Sequence, residues 1–279
     1  MKKTILDILS KRSNKQKLTE IAVYDYPTAR IAEQIGIDIF IVGDSLGMNM
    51  LGFPDTIPVT VEMIDIFTGA VRRGAPDAFI ISDLPFGSYF TAKQAYENSC
   101  RLTRAGADGV KIEGGGEISE IIAALSDRGI LVHGHIGLTP QSYRKLGGYK
   151  TQGRDVKRAL ELVEDAKKIE EAGAMLILLE AMPSPLAKII TERASVPIIG
   201  VGAGPYCDGV AIVLNDFIGL AHIDHPPRYV KKYCDASQVL RQALQDFKND
   251  VENMLYPSPE HFYNMPKDQE QEFLDHLKK

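Results

Sequence analysis

The chain is poor in the features that would tie it to a membrane, a zinc ion or a nucleic acid. No apolar run approaches the roughly 20 residues of a bilayer span. The N-terminal MKKTILDILSKRSNKQK holds a short apolar stretch interrupted by Asp7, too little for a signal peptide. Cysteine is scarce: Cys100, Cys207 and Cys234 lie far apart, form no CxxC pair and match no zinc pattern. A sparse, odd count fits a reducing compartment, so a cytoplasmic location is expected. A basic surplus is missing too. The 32 Lys+Arg against 37 Asp+Glu leave a net charge of −5. Phosphate-backbone binding needs a basic face, so neither nucleic acid nor membrane is an expected partner, and small molecules are.

What is present is ordinary globular composition in 279 residues, 44% hydrophobic and 25% charged. The length suits one (β/α)8 barrel, typically about 250 residues. A helical pattern over 3–17 precedes eight strand candidates: 20–25, 37–43, 78–82, 108–113, 129–134, 174–179, 196–201 and 210–215. The stretches between them mostly carry helical patterns, as at 92–105 and 156–172. Such alternation implies right-handed crossovers and a parallel sheet. The first helix is placed to cover the bottom of a barrel. A recurring junction, Ile35-Gly36-Ile37-Asp38, Ala105-Gly106-Ala107-Asp108 and Ala172-Gly173-Ala174, leads into strands and suits a left-handed helix cap at each glycine. One domain over 1–262 is expected, with a charged tail over 263–279.

Several apolar runs end in a residue suited to chemistry. Ile39 to Gly43 stops at Asp44, Phe79 to Ser82 at Asp83, Val110 to Ile112 at Glu113, and Leu176 to Leu179 at Glu180. A fifth leads to His133 and His135. In a barrel the carboxyl ends of the strands converge on one face, which carries the active site. Carboxylates crowded there repel unless a cation or a shared proton intervenes, so the pattern predicts a metal site. Oxygen ligands suit a hard cation, magnesium above all.

Lys111 lies two residues before Glu113, so both side chains share one face of a strand. It holds either a substrate carboxylate or enolate oxygen, or pairs structurally with a neighbouring acid. Glu180 follows the most apolar run of the chain. A dry setting makes it a better base; a metal ligand or a support for Lys111 are the other readings. His133 and His135 share a face and lack a further nitrogen or sulfur ligand for zinc. Hydrogen bonding to substrate or acids is the favoured role, most of all for His135. Two glycine-rich loops complete the set. Gly147 to Arg154 reads as a lid. Gly200-Val201-Gly202-Ala203-Gly204 suits phosphate, a dinucleotide, or simply close backbone packing.

Val42-Gly43-Asp44-Ser45-Leu46-Gly47-Met48, Val71 to Pro76, Asp83-Leu84-Pro85-Phe86, Val110-Lys111-Ile112-Glu113-Gly114 and Gly134 to Ser142 closely resemble the ketopantoate hydroxymethyltransferase family. So do Gly147 to Arg154, Ile199 to Gly204 and Tyr256 to His261, in the family's order from about residue 4 to 262. The resemblance implies a (β/α)8 TIM barrel of the phosphoenolpyruvate/pyruvate superfamily. It implies transfer of a hydroxymethyl group from 5,10-methylenetetrahydrofolate to 3-methyl-2-oxobutanoate, giving 2-dehydropantoate for pantothenate. By matching motif, Asp44, Asp83 and Glu113 are ligands of one magnesium per subunit. Asp44, Ser45, Asp83 and Lys111 bind the oxo acid, beside His135 as expected from its place on the strand, and Glu180 is the proton acceptor. A homodecamer, a pentamer of dimers, is implied as well. The chain departs from the family pattern at Gly52-Phe53-Pro54-Asp55-Thr56, at Val210 and at Asn215, where a histidine is usual. Two other readings stand beside this one: a folate-independent lyase or aldolase on another 2-oxo acid, and a non-catalytic binding or assembly subunit.

Overall fold

The structure, a computed structural model, describes residues 1–221 and 226–278. Eight parallel strands close on themselves: β1 (Leu18–Ala22), β2 (Ile39–Val42), β3 (Phe79–Asp83), β4 (Gly109–Glu113), β5 (Leu131–Gly137), β6 (Leu176–Glu180), β7 (Ile198–Val201) and β8 (Gly209–Val213). Pairing of β1 with β8 shuts the barrel. All eight expected strands are there. The largest offsets are at β1, which stops before the helix cap at Asp25, and at β5, which runs on through His135 to Gly137. β2, β3 and β4 are buried along their whole length, because helices cover the outside and side chains fill the inside.

The helices start and stop where side-chain chemistry says they should. Asp25, Thr60, Thr91 and Asp155 each cap a helix by accepting a backbone N–H of its first turn. The three junction glycines, Gly36, Gly106 and Gly173, all have positive φ, at 89°, 121° and 102°. A β-carbon is strained there.

Strand register decides which residues meet inside. Asp83 is level with Lys111, and Lys111 with His133. Glu113 is level with His135, and His135 with Leu178. Alternation therefore sends Asp83, Lys111, Glu113 and both histidines into the barrel, and all five are buried.

The opposite end is closed by ion pairs. An aspartate precedes each of β2, β4 and β8 and accepts an N–H from the strand before it: Asp38 from Thr19, Asp108 from Ile80 and Asp208 from Ile198. Each then meets a cation. Lys11 lies 2.5 Å from Asp38, Arg72 lies 2.6 Å from Asp108, and Arg12 lies 3.0 Å from Asp208. Lys11 and Arg12 come from the first helix, Ile5–Ser13, whose Ile8 is buried. This helix covers the barrel bottom as expected.

Contacts divide the chain into two units, Met1–Tyr233 and Cys234–Lys279. The second contains the helices Ala236–Glu252 and Lys267–Leu277. Leu240, Leu244, Phe247 and Val251 are exposed on the first of these, at spacings that form one stripe.

Burial alone would raise the pKa of Asp38, but hydrogen bonds from Lys11 and Thr19 outweigh it and hold the carboxyl below its ordinary value. A carboxyl lowered by folding adds stability above its unfolded pKa and loses it as pH falls through the folded one. Asp38→Asn is therefore expected to cost about 1–3 kcal/mol near neutrality, and the cost is expected to shrink below pH about 4. Urea unfolding of both forms at the two pH values checks this; a pH-independent difference contradicts it.

Candidate active site

The carboxyl ends of β2 to β6 and the loops behind them build one site. After β2 the backbone turns at Gly43 and presents Asp44 and Ser45. The Asp44 N–H donates to Asp83 Oδ2 at 3.0 Å. A β-carbon on Gly43 would lie 3.2 Å from that same oxygen, so glycine lets the carboxylate settle against the loop. The Ser45 hydroxyl lies 2.8 Å from the buried Tyr24 hydroxyl.

Lys111 is the electrostatic centre. Its Nζ is 3.0 Å from Asp83 Oδ2, 3.5 Å from Glu113 Oε1 and 3.4 Å from His135 Nδ1. Burial alone would favour loss of its proton; Asp83, Glu113 and Asp44 outweigh it and keep the ammonium charged. The acids divide. Burial pushes Asp44 well up, and the charges of Asp83 and Glu113 add to that. Burial also raises Asp83, against Lys111. For Glu113 the same burial is overcome by Lys111 and His135, and its pKa falls.

His135 joins this group to Glu180. Its Nδ1 is 3.3 Å from Glu113 Oε1. Its Nε2 is 3.2 Å from Glu180 Oε2, an ion-pair distance without hydrogen-bond alignment. Burial and Lys111 oppose a charge on the ring, yet Glu113 and Glu180 prevail and raise its pKa to about 9. Asp44, Ser45, Asp83, Lys111, Glu113, His135 and Glu180 thus all line one cavity of about 890 Å³. His133 does not join them. It is fully buried, 3.9 Å from Glu20 Oε2, and its ring nitrogens have no hydrogen bond.

Gln141 was not picked out as a site residue by residue chemistry, yet it ties the acids together. Its amide nitrogen donates to Asp44 Oδ2 at 2.8 Å and to the Leu84 carbonyl at 3.0 Å. Its N–H donates to Glu113 Oε2 at 3.0 Å, and its Oε1 accepts from the Tyr89 hydroxyl at 2.6 Å. A neutral side chain in the Leu138-Thr139-Pro140-Gln141 turn carries no charge signal, so only its place in that segment pointed to it.

The donor set suits a hard divalent cation. Asp44, Asp83 and Glu113 offer oxygen only, and Asp83 Oδ1 is buried with no hydrogen-bond partner. As they stand, no three His, Cys, Asp or Glu side chains among the described residues converge on one point, because Asp83 and Glu113 are drawn to Lys111.

The loops behave differently. Tyr149 and Thr151 of the expected lid line the cavity. The Tyr149 ring stacks on Tyr143 at 5.4 Å, and the Tyr143 hydroxyl donates to Asp55 at 2.7 Å. The segment 52–56 therefore anchors this loop. In 200–204 close packing explains the glycines: β-carbons would meet Cys207 Sγ at 2.8 Å, the Tyr229 ring at 2.5 Å and Ser184 Cβ at 2.4 Å. Asn215 is buried, with its amide 3.5 Å from Met50 Sδ. Asp216 beside it lines the cavity, and burial lifts its pKa to about 6.

Comparison with known proteins finds relatives along nearly the whole chain. The chain is 46% identical over 256 residues to a Thermotoga maritima protein named 3-methyl-2-oxobutanoate hydroxymethyltransferase, covering 91% of this chain and 94% of the other. It is 44% identical over 264 residues to the protein of that name from Thermus thermophilus, covering 94% and 100%. Among solved structures it resembles a phosphonopyruvate hydrolase in complex with oxalate and Mg++, at TM-score 0.62 and 15% identity over 100% of this chain and 97% of the other. It also resembles 2,3-dimethylmalate lyase, a member of the PEP mutase/isocitrate lyase superfamily, at TM-score 0.62 and 16% identity over 100% of each. These two likenesses speak for the fold. The family profile described as ketopantoate hydroxymethyltransferase matches residues 2–259, and the chain belongs to that family.

Proposed function

We propose that the acid-lined cavity carries out the reaction of this family: the chain is a 3-methyl-2-oxobutanoate hydroxymethyltransferase, a one-carbon transferase of pantothenate biosynthesis. The observation that supports it best is Lys111 held among buried Asp83, Glu113 and Asp44, with Glu180 joined to them through His135. An oxo acid is an anion with a polarisable ketone. Lys111, kept charged at the cavity wall, attracts its carboxylate. Ser45, steadied by Tyr24, and Asp44 supply polar contacts beside it.

The hard step is removal of a proton from the carbon next to the ketone. Glu180 takes that proton. His135, fixed between Glu113 and Glu180, orients the base and balances its charge. Water adds to the methylene carbon of 5,10-methylenetetrahydrofolate, the one-carbon donor in this reading, as its two C–N bonds break and tetrahydrofolate leaves with water's protons; the deprotonated carbon bonds to that one-carbon unit, whose oxygen takes up the proton held on Glu180. Magnesium, held by Asp44, Asp83 and Glu113, would supply positive charge to the keto oxygen as that proton leaves. Tyr149 and Thr151 line the cavity from the lid, where they help keep water from the reacting carbon.

Glu180→Gln is expected to slow exchange of the C3 proton of 3-methyl-2-oxobutanoate in deuterated water by about 10²–10⁴-fold, with the substrate still bound. Proton NMR reads the exchange, and a rate equal to that of the unmutated protein removes Glu180 from the base role. Gln141→Leu leaves the Asp44 carboxylate without its amide donor. About 10–100-fold more magnesium is expected for half-maximal exchange; an unchanged magnesium requirement argues against Asp44 as a ligand. Turnover of the oxo acid to product with no folate added would favour the lyase reading instead.

A further inference from the structure

One acid of the cavity has no task in the reaction above. β8 ends at Val213, and Asp216 follows it in the short helix Leu214–Phe217. Its side chain lines the cavity, and its Oδ1 is buried without a hydrogen-bond partner among the described residues. An orphaned oxygen in such a wall is costly unless a ligand uses it. Burial lifts the Asp216 pKa to about 6, so a fraction of it holds a proton at neutral pH and gives it up readily. The charge of Asp216 reaches Tyr24, whose hydroxyl lies 2.8 Å from that of Ser45, and Tyr229, which also feels Glu180. Asp216 thus stands near both the oxo-acid contacts and the base.

The cavity holds about 890 Å³, near the top of the roughly 300–1,000 Å³ that takes a drug-sized ligand. The small oxo acid at Asp44, Ser45 and Lys111 leaves most of it to a larger molecule. In the reaction proposed above, on which this inference rests, that molecule is 5,10-methylenetetrahydrofolate. Release of its one-carbon unit breaks two C–N bonds, and each nitrogen must receive a proton or leave as a strongly basic anion. The other described acids and phenols of the cavity are unsuited to this. Glu180 already holds the C3 proton, and Asp44, Asp83 and Glu113 face the cation. His135 is fixed between Glu113 and Glu180. Burial weakens Tyr149 as an acid, raising its pKa to about 12, and weakens Tyr229 as well. Glu20 is level with Ala211 inside the barrel, below the strand ends, and is too deep for a molecule of that size. Asp216 lies beyond the end of its strand, on the face where such a molecule enters.

We propose that Asp216 is the catalytic acid that frees the one-carbon unit from the folate. Asp216 gives its proton to one folate nitrogen as the C–N bond there breaks, the bonding pair staying on nitrogen. Its carboxylate takes a proton from the water that adds to the same carbon, and hands it to the second nitrogen as that C–N bond breaks. The other water proton returns to Asp216 as the C=O bond of the one-carbon unit forms. Tetrahydrofolate leaves with two N–H bonds, water has supplied both protons, and Asp216 ends as it began.

The test sets two rates side by side: product formation from 5,10-methylenetetrahydrofolate, and C3 proton exchange without folate, which breaks no C–N bond. Asp216→Asn and Asp216→Glu are compared with the unmutated protein, and titration calorimetry gives the Kd of tetrahydrofolate for each. In Asp216→Asn the ratio of transfer kcat to exchange rate is expected to fall about 100-fold, while tetrahydrofolate still binds. Asp216→Glu, which keeps the acid, is expected to recover most of that ratio. A ratio that Asp216→Asn leaves unchanged overturns the proposal. A fall that exchange shares in full overturns it too, since Asp216 then serves the oxo acid or the fold. A higher KM for the folate with kcat kept makes Asp216 a binding contact and overturns the acid role. Exchange without any transfer by the unmutated protein overturns the folate reading, and this inference with it.

Discussion

A single buried ammonium organises this molecule's chemistry. Lys111 sits on β4 with its Nζ 3.0 Å from Asp83 and 3.5 Å from Glu113, where an unpaired charge would cost several kcal/mol. Its neighbours keep it charged, and it keeps Glu113 ionised in turn. Asp44 has no such direct partner and is pushed the other way. Like charges at one mouth are therefore resolved unevenly: Asp83 and Glu113 both pair with Lys111, yet burial still raises Asp83 and Asp44, and one oxygen of Asp83 is left unspent. That imbalance is the electrostatic argument for a cation there.

The rest of the fold serves this arrangement. Three aspartates before β2, β4 and β8, each clamped by a lysine or arginine, fix the strands at the end remote from the chemistry. With the bottom locked, strand register puts Asp83 level with Lys111 and Glu113 level with His135. Gln141 then reaches over the top and joins Asp44 to Glu113, its side-chain amide donating to the first and its backbone N–H to the second, with no charge added. Stability lies at one end and function at the other, as barrels generally divide them.

The departures from the family pattern acquire physical meaning. Asp55 anchors Tyr143, which stacks on Tyr149 of the glycine-rich 147–154 loop. Asn215 is packed against Met50, with Asp216 presented to the cavity. These changes touch the entrance and cover of the site, while the acids, Lys111 and Glu180 stay together. Beneath them, Glu20 lines the cavity, while His133, 3.9 Å from it, is fully buried and does not.

Periodicity and the acids at the strand ends made the barrel, Asp44, Asp83, Glu113 and Glu180 legible in the sequence, because a buried parallel strand must be apolar until it reaches the mouth. The pairing of Lys111 with Glu113 was legible for the same reason, since alternation places residues two apart on one face. Gln141 and Tyr24 were not, for neutral side chains carry no charge pattern. Glu20 was not, since an acid within a short strand reads as a solvated residue until the barrel closes over it. His133 and His135 are equivalent by alternation alone. Only the closed barrel separates them, setting one against Glu113 and Glu180 and the other against Glu20. Local chemistry is written along the chain; which buried group faces which is decided by register and closure, which join residues far apart in sequence.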